Sequence, residues 1–245
     1  MFRINIDNIE LVTFLLVFFR TGAVLLTAPL FSRKNIPVPI RILIPFMLSV
    51  ILTISMRDLI GQNNVLIILN QGTAGLAVAV FGELLLGISI GFTAQMTFMA
   101  LYVAGRLVGQ EIGFGMARIL DPSTQENTEL IGQYNTIIAI LIFLVIRGHH
   151  YIIRAIAWSF STIQLGQQWI NGNFIGHLNN VFAGIFSTGL RIALPVMGTL
   201  FLAKIAMGII ARTMPQMNVF IVGFPLQIAV GLITMAISLP FFVKI

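Results

Sequence analysis

The feature that most constrains this chain is a succession of apolar runs near Leu11–Phe31, Ile40–Ile54, Val65–Leu107, Leu130–Ile146, Val181–Ala211 and Val219–Val243. Several are long enough to cross a hydrocarbon core of roughly 30 Å, which takes about 20 residues of helix. In that solvent backbone groups must be satisfied internally, so only helices or a closed barrel can span it. The runs are unbroken and lack the period-two alternation of barrel strands. The chain therefore reads as all-α, polytopic and membrane-associated. A charged fraction of 9% against 58% hydrophobic residues agrees, because a soluble domain carries about a quarter charged residues.

The third run is too long for one crossing, and Asn70-Gln71-Gly72-Thr73 is expected to divide it, leaving Leu66–Leu69 as a short packed turn before a long helix. Met1–Glu10 has neither a basic leader nor a small-residue cleavage pattern, so Leu11–Phe31 reads as a retained first helix. Prolines 29, 45, 195, 225 and 240 lie in or beside apolar runs, where each interior proline bends its helix unless neighbours compensate. Polar connections fall at Ser32–Arg41, Arg106–Glu129 and Arg147–Asn180. The last carries Tyr151, Trp158 and Trp169, aromatics suited to a membrane interface. Within it Ile152, Ile156, Phe160 and Ile163 recur at helical spacing, which predicts a surface-lying or partner-packed helix.

Net charge is +6, yet the bases are scattered singly and form no stripe of the kind nucleic acid needs. No nucleic-acid partner is expected. With six spans assumed, one side holds Arg33, Lys34, Arg41, Arg106, Arg118 and Arg212, and the other Arg3, Arg57, Arg147, Arg154 and Lys244. Such balance leaves orientation undecided by the positive-inside rule.

Four charges interrupt apolar runs: Arg20, Glu83, Arg191 and Lys204. Each costs at least about 2.5–3.5 kcal/mol at mid-membrane and so demands a partner, a cavity or a helix end. A proton path is one reading; pairing between helices or subunits, with Glu83 the acid available to three bases, is the better one. Arg20 and Lys204 also have stems long enough to snorkel. Gly87 and Gly91 form one GxxxG spacing and Gly105, Gly109 and Gly113 continue it, a pattern that admits close helix contact. From Gly109 through Gln110, Glu111, Gly113, Phe114, Gly115, Met116 and Arg118 to Asp121 and Pro122 the residues read as a glycine-rich, apolar-tipped loop between helices. Composition allows a pore plug there but favours an ordinary connection.

Nothing in the residues resembles an active site. His149 and His150 are adjacent and point about 100° apart on a helix, which excludes an i, i+4 metal pair. Cysteine is absent, and no nucleophile motif or phosphate-binding glycine loop occurs. No catalytic, cofactor or metal residues are assigned.

The residues resemble the FliR family, the flagellar type III export-gate proteins, whose injectisome counterparts form a sister group. The resemblance begins with Phe19-Arg20, Pro29, Phe31, Ile36-Pro37 and Arg41, and runs through Glu83, Gly87, Gly91-Phe92 and Ala104-Gly105. It continues with Gly109, Gly113-Phe114-Gly115, Asp121-Pro122, Gly148-His149-His150 and Arg154. Its most specific piece is the stretch from Ala211 and Arg212 through Pro215, Gln216 and Asn218 to Phe220, then Gly223-Phe224-Pro225-Leu226. The resemblance implies membrane-associated helical hairpins: residues 1–180 similar to FliP, with a plug loop at about 106–122, and residues 181–245 a hairpin similar to FliQ. It implies partners of the FliP, FliQ and FlhB types, unfolded flagellar proteins as cargo, and a place in the bacterial inner membrane at the flagellar basal body. It also turns the loop's reading from connection to channel plug. The competing class is a secondary transporter of a small solute or protons, but transporters of that kind commonly show repeats around a midplane site, and no convincing repeat is present.

Overall fold

The computed structural model describes residues 6–29, 31, 36–55, 62–113, 130–167, 172–216 and 218–242, and among them all regular structure is helical. The helices are α1 (Ile6–Thr27), α2 (Val38–Ser55), α3 (Gln62–Asn70), α4 (Gly72–Ile112), α5 (Leu130–Val145), α6 (Gly148–Thr162), α7 (Gly172–Thr213) and α8 (Val219–Phe242). Of these, α1, α2, α4, α7 and α8 are long and apolar enough to cross a membrane, and α5 with α6, bent by 72° at the break between them, would make a sixth span if counted as one.

Local chemistry explains the boundaries. Pro29 cannot continue α1, which ends at Thr27 and not at Phe31 as the apolar run implied. The division expected around Asn70–Thr73 is present: Gly72 takes a left-handed φ of 71° that a side chain would resist, and it separates α4 from a full helix α3 in place of a short turn. Gly172–Asn180, read as connection, instead forms the start of α7. Gly109, Gln110 and Glu111 are likewise helical, closing α4 with Ile112. Residues 106–112 of the expected loop are therefore helical, and Gly113 (φ 101°) follows the helix end. The reason is that glycines with close helical neighbours need not break a helix, whereas a left-handed backbone angle does. Phe114, Gly115, Met116, Arg118, Asp121 and Pro122 lie outside the described residues, as do Arg33, Lys34, Arg57 and Trp169.

The chain forms two compact units: residues 1–96 with 143–179, and residues 97–142 with 180–245. In the first, α1 is the central element, with 56% of its span buried against 17% for α2. Its Leu16, Val17, Val24 and Leu25 pack with Leu52 of α2, Val65 and Ile68 of α3, and Ile152, Ile156 and Phe160 of α6. The α6 stripe thus faces the protein's own core, which corrects the expectation of a surface-lying or partner-packed face; Trp158, on the other side, is exposed. Phe14 and Phe18 meet Phe46 edge to face at 5.5 and 6.2 Å. In the second unit the end of α4 (Ala104, Val108, Ile112) packs with Ile131 of α5, Ile192, Val196 and Leu200 of α7, and Met235 of α8.

The glycine series serves more than one contact. A Cβ on Gly87 would fall 2.5 Å from the Arg20 carbonyl oxygen and 2.6 Å from Ala23 Cβ, and one on Gly91 2.5 Å from the Val24 oxygen. These two glycines let α4 lie directly on the backbone of α1. Gly105 faces α5 instead, where a Cβ would meet Gly132 Cα and the Ile131 oxygen at 2.8 Å. Gly87→Leu should therefore lower the folded yield in membranes sharply, since overpacking costs about 1–3 kcal/mol or more. Gly198→Ala, whose Cβ meets nothing within 4 Å, should leave the yield unchanged; equal yields of the two variants by quantitative blotting would refute the contact.

Candidate functional site

Arg20 lies in the middle of α1 with no exposed surface, and Glu83 in α4 is 3% exposed. An ionised pair in such a place needs its hydrogen-bonding capacity filled, and the surrounding helices fill it. Arg20 Nε and Nη2 donate to the two Glu83 oxygens, the latter at 3.0 Å. Nη1 donates to the carbonyls of Ser159 (3.1 Å) and Ile163 (2.9 Å). These oxygens belong to the C-terminal end of α6, whose last turn has no base of its own, so the guanidinium also caps that helix and meets its dipole. The Phe160 ring lies 4.4 Å from Cζ, a cation–π distance. Glu83 Oε1 accepts a further bond from the Gly166 N–H at 2.9 Å. One arginine thereby joins α1, α4 and the end of α6.

A cavity of about 490 Å³ opens beside this junction, lined by α3 and α4 residues including Asn64, Gly75 and Gly82, by Gln71 between the two helices, and by Gly166 and Gln167. Among the described residues Glu83 is its one ionisable lining residue, and both its oxygens are engaged. Of the three bases to which Glu83 was available, it pairs with Arg20, joining two helices as expected, while Lys204 takes a different acid. Arg20 does not snorkel, because its partners are inside.

Lys204, on α7, pairs instead with Glu111 at 2.5 Å, a residue assigned from the sequence to the loop. Arg191, Arg106, Arg212, Pro215, Gln216, Asn218 and Pro225 are exposed, while Gly109 and Gly223 are buried and Gln110 is exposed. The turn between α7 and α8 is thus presented outward. Spacing in the sequence held no sign of the Glu111–Lys204 pairing, nor of Ser159, Ile163 and Gly166 as partners of the buried pair. The usable clue was the physical demand that Arg20 be satisfied. Among the described residues no three metal-ligating side chains come together.

This arrangement defines a helical membrane protein whose ion pairs join helices. Residues 11–245 match the family described as "Bacterial export proteins, family 1". The chain is 35% identical over 231 residues to "Flagellar biosynthetic protein FliR" of Bacillus subtilis, covering 92% of this chain and 85% of that protein. It is 32% identical to the protein of the same name from Aquifex aeolicus (94% and 86% covered) and 30% identical to that of Escherichia coli K12 (90% and 82%). The chain belongs to the FliR family of bacterial export proteins, structural components of membrane-associated flagellar export.

The buried junction carries a stability prediction. Glu83→Leu leaves Arg20 uncompensated and should cost about 3–5 kcal/mol, whereas Arg20→Met with Glu83→Leu should recover much of that loss. Thermal unfolding of the detergent-extracted protein measures both. A double variant no more stable than Glu83→Leu alone would show that the two charges do not depend on each other.

Proposed function

We propose that the chain is a subunit of the flagellar type III export gate, part of the channel through which unfolded flagellar proteins cross the bacterial inner membrane at the basal body. Its partners are gate subunits of the FliP and FliQ types and a switch protein of the FlhB type; residues 181–245 are its FliQ-like hairpin. The loop after α4, including Phe114, Gly115, Met116, Arg118, Asp121 and Pro122, closes the channel at rest.

The observation that carries this reading is the length of α4 and α7, 41 and 42 residues. At 1.5 Å per residue each is about 60 Å long, twice a hydrocarbon core. Both are apolar, α7 from Leu178 onward, yet in an apolar 18-residue stretch of each only 28% is buried within the chain. Lipid cannot cover such helices over their whole length, so part of that surface calls for protein. Each demand is met by a multi-subunit gate, whereas a solitary transporter leaves the excess uncovered.

Two measurements test the proposal. Affinity purification from gentle detergent should bring down FliP- and FliQ-type proteins; a stable monomer without them rejects the gate. Removal of residues 114–122, which spares the buried Ile112, should leave that assembly intact while raising the ion permeability of the resting membrane severalfold. A tight membrane around assembled complexes lacking those residues rejects the plug.

A further inference from the structure

We infer that Arg191 of α7 is a contact point for another subunit, where its guanidinium meets a carboxylate carried on an otherwise apolar surface of that subunit. The inference rests on the gate reading and names the chemistry of one of its contacts; it needs no part of the plug.

Three bases interrupt the long apolar runs, and two of them are answered within the chain. Arg20 takes Glu83 and Lys204 takes Glu111, both acids coming from α4. Arg191 is exposed, and among the described residues no acid pairs with it. Neither α7 nor α8 can supply one. Residues 130–245 hold six bases and no acid, so the whole net charge of +6 lies there, while residues 1–129 are balanced at eight of each. Of the helices in the second unit only α4 brings an acid, Glu111, and Lys204 holds it.

The surroundings of Arg191 favour protein over lipid as its cover. It lies in the apolar stretch Leu178–Thr213, about 20 Å from one end and about 33 Å from the other. Every window of about 20 residues on that stretch, the length one hydrocarbon core needs, contains Arg191, Lys204 or both. Lipid could meet Arg191 only by ending there. A cation at a bilayer edge stands where apolar surface gives way to polar. Large apolar side chains are instead exposed on both sides of Arg191 along the helix, Phe182 and Phe186 before it and Leu194, Phe201 and Leu202 after it. Gly198, two turns further on the same face, has nothing within 4 Å of its Cβ position, so the face is open. A charge inside a continuous apolar surface is held by an opposite charge from a neighbour, as both pairs within the chain are.

The test uses the whole assembly purified in gentle detergent. A carbodiimide condenses a carboxylate with a primary amine in contact with it, and arginine does not react. Arg191→Lys keeps the charge and should assemble; carbodiimide should then join the introduced amine to an aspartate or glutamate of another polypeptide, which peptide mass spectrometry identifies. No adduct at position 191, as a guanidinium solvated in a channel would give, overturns the inference. So does an adduct with a lipid phosphate or with a carboxylate of this chain. Arg191→Glu should lower the yield of assembled complex about tenfold or more, and changing the identified acid to lysine beside it should restore most of that yield. An exchange no better than Arg191→Glu alone also overturns the inference. If Arg191→Lys does not assemble, Arg191→Leu decides, because leucine suits lipid but cannot answer an acid. A yield of complex equal to the parent's rejects the carboxylate; a loss of complex at an unchanged level of the chain in membranes supports it. A parent chain recovered with no other polypeptide defeats the gate reading and this inference together, whereas partners without an inter-chain amide defeat this inference alone.

Discussion

The rest of the first unit depends on the burial of one guanidinium. A cation at the centre of an apolar helix is tolerated only when every neighbouring helix is shaped to receive it. Arg20 obtains two bonds from Glu83 and two from the end of α6, so three elements must arrive in one register before the charge is satisfied. Glu83, Gly87 and Gly91 recur at four-residue spacing and lie along one face of α4. Side chain and backbone of Arg20 use that same face: the guanidinium meets Glu83 and the carbonyl sits over Gly87. Close approach and ion pairing are thus one geometric condition. A sliding error of one turn between α1 and α4 would set Arg20 against a glycine and a Cβ-bearing residue against the backbone. Specification of register, more than net stabilisation, is what a buried pair of this kind supplies.

The second unit applies the same chemistry under different conditions. Glu111 and Lys204 remain partly in contact with the surroundings, whereas Arg20 and Glu83 do not. Apolar contacts through Ile112, Leu200 and Met235 hold that unit together. Helix α4 contributes an acid to each unit, and each acid is answered by a base from a different helix. The balance of loop charges that left orientation undecided does not touch these pairs, which lie inside helices.

Legibility in the sequence followed the range of the interactions. Apolar runs located every long helix, because crossing a membrane is a demand on consecutive residues. Termini came out less well: Pro29 shortened α1, while Gly172–Asn180 joined α7 despite its polar composition. The stripe Ile152–Ile156–Phe160 is helical, as its spacing predicts, yet periodicity says that a face is apolar and not what covers it. Charge partners were the least legible, since Arg20 and Glu83 are separated by 63 positions and Lys204 and Glu111 by 93. That Arg20 required a partner could be deduced. That the C-terminal carbonyls of α6 would be among its acceptors depended on where α6 packed.

Hydropathy records affinity for an apolar surround and does not distinguish lipid from protein. On α2 the exposed Ile42, Phe46 and Ile54 are as suited to one as to the other. Length separates the two possibilities where composition cannot. Helix α8, at 24 residues, fits a bilayer with modest tilt. Helices α4 and α7 exceed it by about 30 Å, and a tilt large enough to hide that excess lies far outside the usual range. Their surplus apolar length must stand outside the hydrocarbon, where water would penalise it at about 25 cal/mol for every Å² left uncovered. Assembly with other subunits removes that penalty. In the proposed gate, the chain's hydrophobicity is accounted for by a protein complex rising beyond the bilayer as much as by the bilayer itself.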